Sequence, residues 1–153
     1  MIPVINSLKL TTVLVSMTVL FSMTGFNEPD SGFRLVGVWE SEEKDLQIEM
    51  FEDHGVYAGR MIYFKCLSDD VMQSTKDVEN PEEDLRSRNL LGLKLVTELM
   101  YKGDGVWDDG KIYDPNSGNT FEARIQLTDP HTAIVRGYWK FRWLGRSMVF
   151  KRL

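Results

Sequence analysis

Apolar and polar residues alternate over short runs along most of this chain, with turn-forming residues between the runs. Leu46, Ile48 and Met50 share one face of the segment 46–52, and Phe121, Ala123, Ile125 and Leu127 share one face of 120–127. A period of two places such residues on the buried side of a strand whose other side meets water. The same pattern predicts strands over 36–39, 56–65, 133–138 and 147–153. Gly59, in the middle of one of these, predicts a bulge or the close approach of another backbone. Asp53-His54-Gly55 and Thr128-Asp129-Pro130 read as turns.

The densest part of the pattern is 105–121. There Asp109-Gly110 suits the positive φ of a tight hairpin, and Asn116-Ser117-Gly118 suits a second turn. Between them Ile112 and Tyr113 must face opposite sides of a strand, and Asp114 caps the turn that Pro115 stiffens. Two segments break the alternation. Residues 68–88 are polar and acidic without apolar period, a length that reads as a lid or a surface ornament. Residues 90–100, with Leu91, Leu95 and Leu99 four apart, fit a short helix or a strand equally well. The sum is an all-β chain, an antiparallel barrel or sandwich of about eight to ten strands with one short helix or long loop inserted. A barrel is preferred, because the last run is short and basic and would be an exposed edge unless it paired with the first.

A chain of 153 residues fits one domain. Cys66 is the only cysteine, so stability must come from packing and not from disulfides. The first 25 residues hold no acidic residue and one basic residue, Lys9, ahead of an apolar run over 10–23. This is the pattern of a secretory signal and is short for a membrane span; a retained anchor helix is the alternative. The expected organisation is a signal over 1–25, a leader over 26–35 and the barrel over 36–153, in a protein exported to the periplasm or the medium. No cysteine follows the apolar run to carry a lipid. A net charge of −5 argues against a nucleic-acid partner, since phosphate contacts need clustered Lys and Arg.

Several markers stand in order along the chain: Gly37-Val38-Trp39, Gly59-Arg60-Met61-Ile62, Asp77-Val78-Glu79-Asn80-Pro81, Leu85-Arg86-Ser87-Arg88 and Leu90-Leu91-Gly92-Leu93, then Trp107 with Gly110-Lys111-Ile112-Tyr113-Asp114-Pro115, then Val135-Arg136-Gly137-Tyr138 and Gly145-Arg146. Together they resemble the bacterial family called domain of unknown function 2147, made of small exported proteins. The resemblance implies a lipocalin-like, calycin-type up-and-down barrel behind a signal peptide, and no settled activity. The chain departs from the family pattern at Lys140 and Arg142, which make the turn there bulkier and more basic.

Each candidate site has a plainer account beside it. Asp114 and Arg136 fit a paired polar contact at a barrel mouth, or a turn cap and a loop tie. Arg86, Arg88 and Arg146 fit an anion site, or local ion pairs with Glu82, Glu83 and Asp84. The carboxylates of the acidic loop match no calcium motif and read as solvated. His54, His131 and Cys66 show no metal-ligand or nucleophile spacing, so no catalytic residue, metal or cofactor is expected. Aromatics including Trp39 and Trp107 line a ligand cavity or fill a core. Trp139, Phe141 and Trp143, interleaved with Lys140 and Arg142, form either a membrane-touching tip or inward-facing strand positions. The leading expectation is a non-enzymatic barrel binding a small apolar or amphipathic molecule, with Asp114, Arg136, Arg146, Trp39, Trp107, Tyr113 and Tyr138 as contacts. A filled barrel that meets a protein partner through its loops is the second reading. A hydrolase using Asp77 and Asp114 is the third.

Overall fold

The computed structural model describes residues 31–140 and 145–153. Among them, eight strands follow one another: β1 (Gly37–Ser41), β2 (Leu46–Asp53), β3 (Val56–Phe64), β4 (Lys94–Gly103), β5 (Val106–Asp114), β6 (Asn119–Asp129), β7 (Thr132–Tyr138) and β8 (Gly145–Arg152). Each strand pairs antiparallel with the next, and β8 returns to β1 through Trp39↔Arg152, Glu40↔Lys151 and Ser41↔Phe150. The sheet is therefore a closed up-and-down barrel, as the alternation and the basic last run anticipate. The expected signal segment and the aromatics Phe141 and Trp143 lie outside the described residues.

The ambiguous run 90–100 resolves as strand from Lys94 onward. Its leucine spacing reflects a bulge: Glu98 takes a φ of 61°, and the pairing with β3 slips between Tyr57↔Leu99 and Gly59↔Val96. The extra residue lets Val96 and Leu99, three apart, both turn inward. Asp109, with a φ of 60°, is the matching irregularity in β5, where pairing with β6 slips between Trp107 and Gly110. The two bulges lie together, since Thr97↔Lys111 and Met100↔Asp108 keep one register.

Asp109-Gly110 is thus not a hairpin. The β4–β5 turn is made instead by Asp104 and Gly105, whose φ angles are 51° and 68°. The second Asp-Gly pair serves packing: a Cβ on Gly110 would lie 2.6 Å from Leu99 Cδ2 and 2.9 Å from the Thr97 carbonyl oxygen. Gly59 shows the bulge alternative, since pairing with β4 slips on both sides of it, and what crowds its missing Cβ is a side chain and not a backbone, Met50 Sδ at 2.5 Å.

One end of the barrel is packed solid. Trp107, Leu99, Ile125 and Leu35 are essentially without exposure there. Tyr57 meets the Trp107 ring edge-on at 6.2 Å between centroids, and Tyr101 tilts against it at 5.0 Å. A 3-10 turn, Gly32–Leu35, plugs this end, and its Leu35 carbonyl accepts a hydrogen bond from Trp39 Nε1 at 2.8 Å. Substitution Trp107→Ala should cost about 3–5 kcal/mol of stability, read from the urea midpoint of unfolding.

Candidate functional site

The opposite end is built from smaller inward positions. Ala123 pairs with Gly137 and Gly137 with Arg146, so at that level β6 and β7 contribute almost no side chain to the interior. The space left is a cavity of about 910 Å³, open at the mouth. Its walls are mainly apolar, with Ile48, Met61, Leu95, Ile112, Phe121 and Val135 among them. Its polar groups include Asp45, Lys65, Asp114, Asn116 and Arg146. A volume of this size with apolar walls and few polar groups is the usual form of a small-molecule pocket.

Of the expected contacts, Tyr113, Asp114, Tyr138 and Arg146 line this cavity. Trp39 and Trp107 do not; both are buried in the packed end. Arg136 alternates with the inward residues Val135 and Gly137, and its Nη1 donates to Ser147 Oγ across the β7–β8 pair at 3.0 Å. Asp114 and Arg136 do not meet, because β6 separates their strands. Asp114 caps its own turn, accepting from the Asn116 amide at 3.0 Å and the Ser117 hydroxyl at 2.7 Å. The three arginines part company as well: Arg86 Nε donates to the Asn80 carbonyl at 2.7 Å, Arg88 pairs with Asp77 at 2.8 Å, and Arg146 lines the mouth. Trp139 is half exposed at the rim.

The acidic segment between β3 and β4 is more structured than its composition suggests. It contains the helix α1 (Asp69–Ser74), with Ser68 as N-cap, and a 3-10 turn over Glu83–Leu85. A bridge between Lys76 and Asn89 draws its two arms together. Asp77, expected to be solvated, has no exposed surface. Its Oδ1 accepts from the Tyr113 hydroxyl at 2.6 Å, and its Oδ2 from Asn80 Nδ2 and Arg88 Nε at 2.9 Å each.

Burial by itself would raise the Asp77 pKa, but the bonds from Tyr113, Asn80 and Arg88 and the Arg88 charge outweigh it and hold the carboxyl below its ordinary 3.8. The Tyr113 phenol moves the other way, pushed up by burial and by the carboxylate it serves. Both carboxylates of the acid–base pair considered from sequence are therefore engaged, Asp77 in this clamp and Asp114 in its turn.

Tyr113 thus faces away from Ile112, as a strand requires, and fastens the long loop beside the cavity mouth. Sequence reasoning missed this clamp, and it missed Lys65, Leu90 and Met148 at the cavity, whereas Phe64 and Phe121 are among the aromatics it offered as a lining. The ordered motif from Asp77 to Pro81, opposite two nearby arginines, was the available signal.

Residues 37–152 match the family described as "Uncharacterized protein conserved in bacteria (DUF2147)". The chain belongs to this family. The DUF2147 barrel is also similar to a solved structure, protein HP1028 of Helicobacter pylori, described as belonging to the lipocalin family. The likeness has a TM-score of 0.69 at 24% identity, and covers 78% of this chain and 82% of that one. At that identity it speaks for the fold, and it agrees with the lipocalin-like barrel. No curated protein matches the DUF2147 chain at a significant level.

Because the folded pKa of Asp77 is depressed, its contribution to stability is present above the unfolded carboxyl value and is lost as pH falls through the folded one. Asp77→Asn should lower stability by about 1–3 kcal/mol at neutral pH, since a buried bond network is broken. Urea unfolding at pH 7 and at pH 3 should show the gap between wild type and variant narrowing at the lower pH.

Proposed function

We propose that this DUF2147 protein is an exported carrier that holds a small hydrophobic or amphipathic molecule inside its barrel. The observation that supports it is the contrast between the two ends: a solid aromatic plug at one, an apolar cavity of about 910 Å³ opening at the other. A barrel of eight strands is just wide enough either to be filled by its own side chains or to enclose one small ligand. Here the small residues Ala123 and Gly137 leave the second arrangement at the mouth end. Burial of a ligand's apolar surface against Ile112, Phe121 and Val135 supplies the affinity, while the groups at the mouth orient it. The export half of the proposal rests on the N-terminal pattern of Lys9 followed by the apolar run 10–23.

Native mass spectrometry of the protein purified from an exporting bacterial host tests both halves. The expected spectrum shows a chain shortened by its signal and carrying an added mass, released as a defined small molecule on denaturation. A full-length chain would overturn the export assignment. A bare mass that persists after incubation with an envelope lipid extract would overturn the carrier assignment.

A further inference from the structure

The charges at the mouth narrow the chemistry of the molecule it receives. Among the described residues that line the cavity, Asp45, Lys65, Asp114 and Arg146 carry charge. The two carboxylates are already engaged. Asp45 Oδ1 accepts from Ser41 Oγ at 2.5 Å. Asp114 accepts from the Asn116 amide at 3.0 Å, from Asn116 Nδ2 at 3.3 Å and from the Ser117 hydroxyl at 2.7 Å. The two cations are not: among the described residues, neither the Lys65 ammonium nor the Arg146 guanidinium has a hydrogen bond or an ion pair. The carboxylates keep their charge but have donors, so what the mouth offers an incoming head is two cations with unused hydrogen-bond donors.

The strand register directs one of these cations at the cavity. In the β7–β8 pair, Phe150 faces Ala133, Met148 faces Val135 and Arg146 faces Gly137. Arg146 thus continues the face of Phe150 and Met148, one step nearer the opening. Its partner Gly137 has no side chain, so the space beside the guanidinium belongs to the cavity. Lys65 approaches from the end of β3, its backbone fixed by a 2.8 Å hydrogen bond from its amide to the Asp45 carbonyl. An apolar barrel with a guanidinium and an ammonium at its lip is polarised in the same sense as an anionic amphiphile.

We infer that the ligand is an amphiphile with an anionic head, a carboxylate or a phosphate ester, whose chain lies among Ile112, Phe121 and Val135 and whose head meets Arg146 and Lys65. This rests on the carrier reading above and adds the sign of the head group. Arg146 supplies a fork of donors suited to two oxygens, and Lys65 a point charge. A neutral head forgoes both, and a cationic head gains nothing from them.

The test is displacement of a neutral fluorophore, N-phenyl-1-naphthylamine, from the protein purified from an exporting host. Dodecanoate, dodecyl phosphate, dodecanol and dodecylammonium are titrated below their micelle concentrations. Dodecanoate or dodecyl phosphate should displace the fluorophore at about fivefold lower concentration than dodecanol, the size expected of charge-assisted bonds at a wet rim. Which of the two anions is stronger separates a fatty-acid head from a phosphate ester.

The double variant Arg146→Gln and Lys65→Gln should erase the difference between the anionic and the neutral amphiphiles. Both positions are exposed, and an unaltered thermal unfolding midpoint checks that the variant folds. Equal displacement by anionic and neutral amphiphiles, or a preference for dodecylammonium, would overturn the head-group assignment and leave the carrier reading standing. Failure of the wild-type protein to bind the fluorophore or any of the four amphiphiles would overturn both.

Discussion

The guanidinium of Arg152 donates to the carbonyl oxygens of Arg34, Val36 and Pro130 while its face rests 4.3 Å from the centroid of the Trp39 ring, and the closed barrel depends on this cluster of contacts. Arg152 belongs to β8 and Trp39 to β1, so one side chain joins the two strands that would otherwise be free edges. The same group ties down the 3-10 turn that plugs the packed end. Burial and the nearby charge of Arg34 press the Arg152 pKa downward, which is the electrostatic cost of placing a cation there. Three carbonyl acceptors and an aromatic face offset that cost. An arginine fits this position because its fork reaches several carbonyls at once, where a lysine would offer a single point of charge.

With one end held shut, the cavity end can be sparse. Packing at the plug supplies the burial that a domain without disulfides needs, and Ala123, Gly137 and the short rim residues can then leave volume unfilled. The long segment between β3 and β4 is handled in the same economical way. A single buried carboxylate, Asp77, gathers Tyr113, Asn80 and Arg88, so that a polar segment is fastened to β5 without a large apolar contact. Gly118 completes the seat, since any side chain there would run into the Glu79 carbonyl.

The fold was largely legible in the sequence because alternation is a local signal. Each strand declares its own inward face, as in Leu46, Ile48 and Met50, and the basic last run declares that it needs a partner. What was not legible were contacts between distant segments. Asp104-Gly105 and Asp109-Gly110 are equivalent as dipeptides, and only the register of β4 against β5 decides which one turns the chain. Asp77 looked like one more solvated acid because its partners lie 36 and 11 positions away, at Tyr113 and Arg88.

The candidate site divided along the same line. Tyr113, Asp114, Tyr138 and Arg146 line the cavity, whereas Trp39 and Trp107 are drawn to the plug, where a large ring buries most area. Arg136 went to the outer face because strand parity places it opposite to its neighbours Val135 and Gly137.

The pairing order has a further consequence, which concerns chain entropy. Every sheet contact except one joins strands adjacent in sequence, so all of these but β3–β4, with its long connection, close short loops at little entropic cost. The exception, β1 with β8, spans more than a hundred residues and brings Arg152 to Trp39. Without β8 the other seven strands would leave two unpaired edges, at β1 and β7. Closure is therefore the contact of longest reach in the sheet, and the one with the largest loop-closure entropy to overcome.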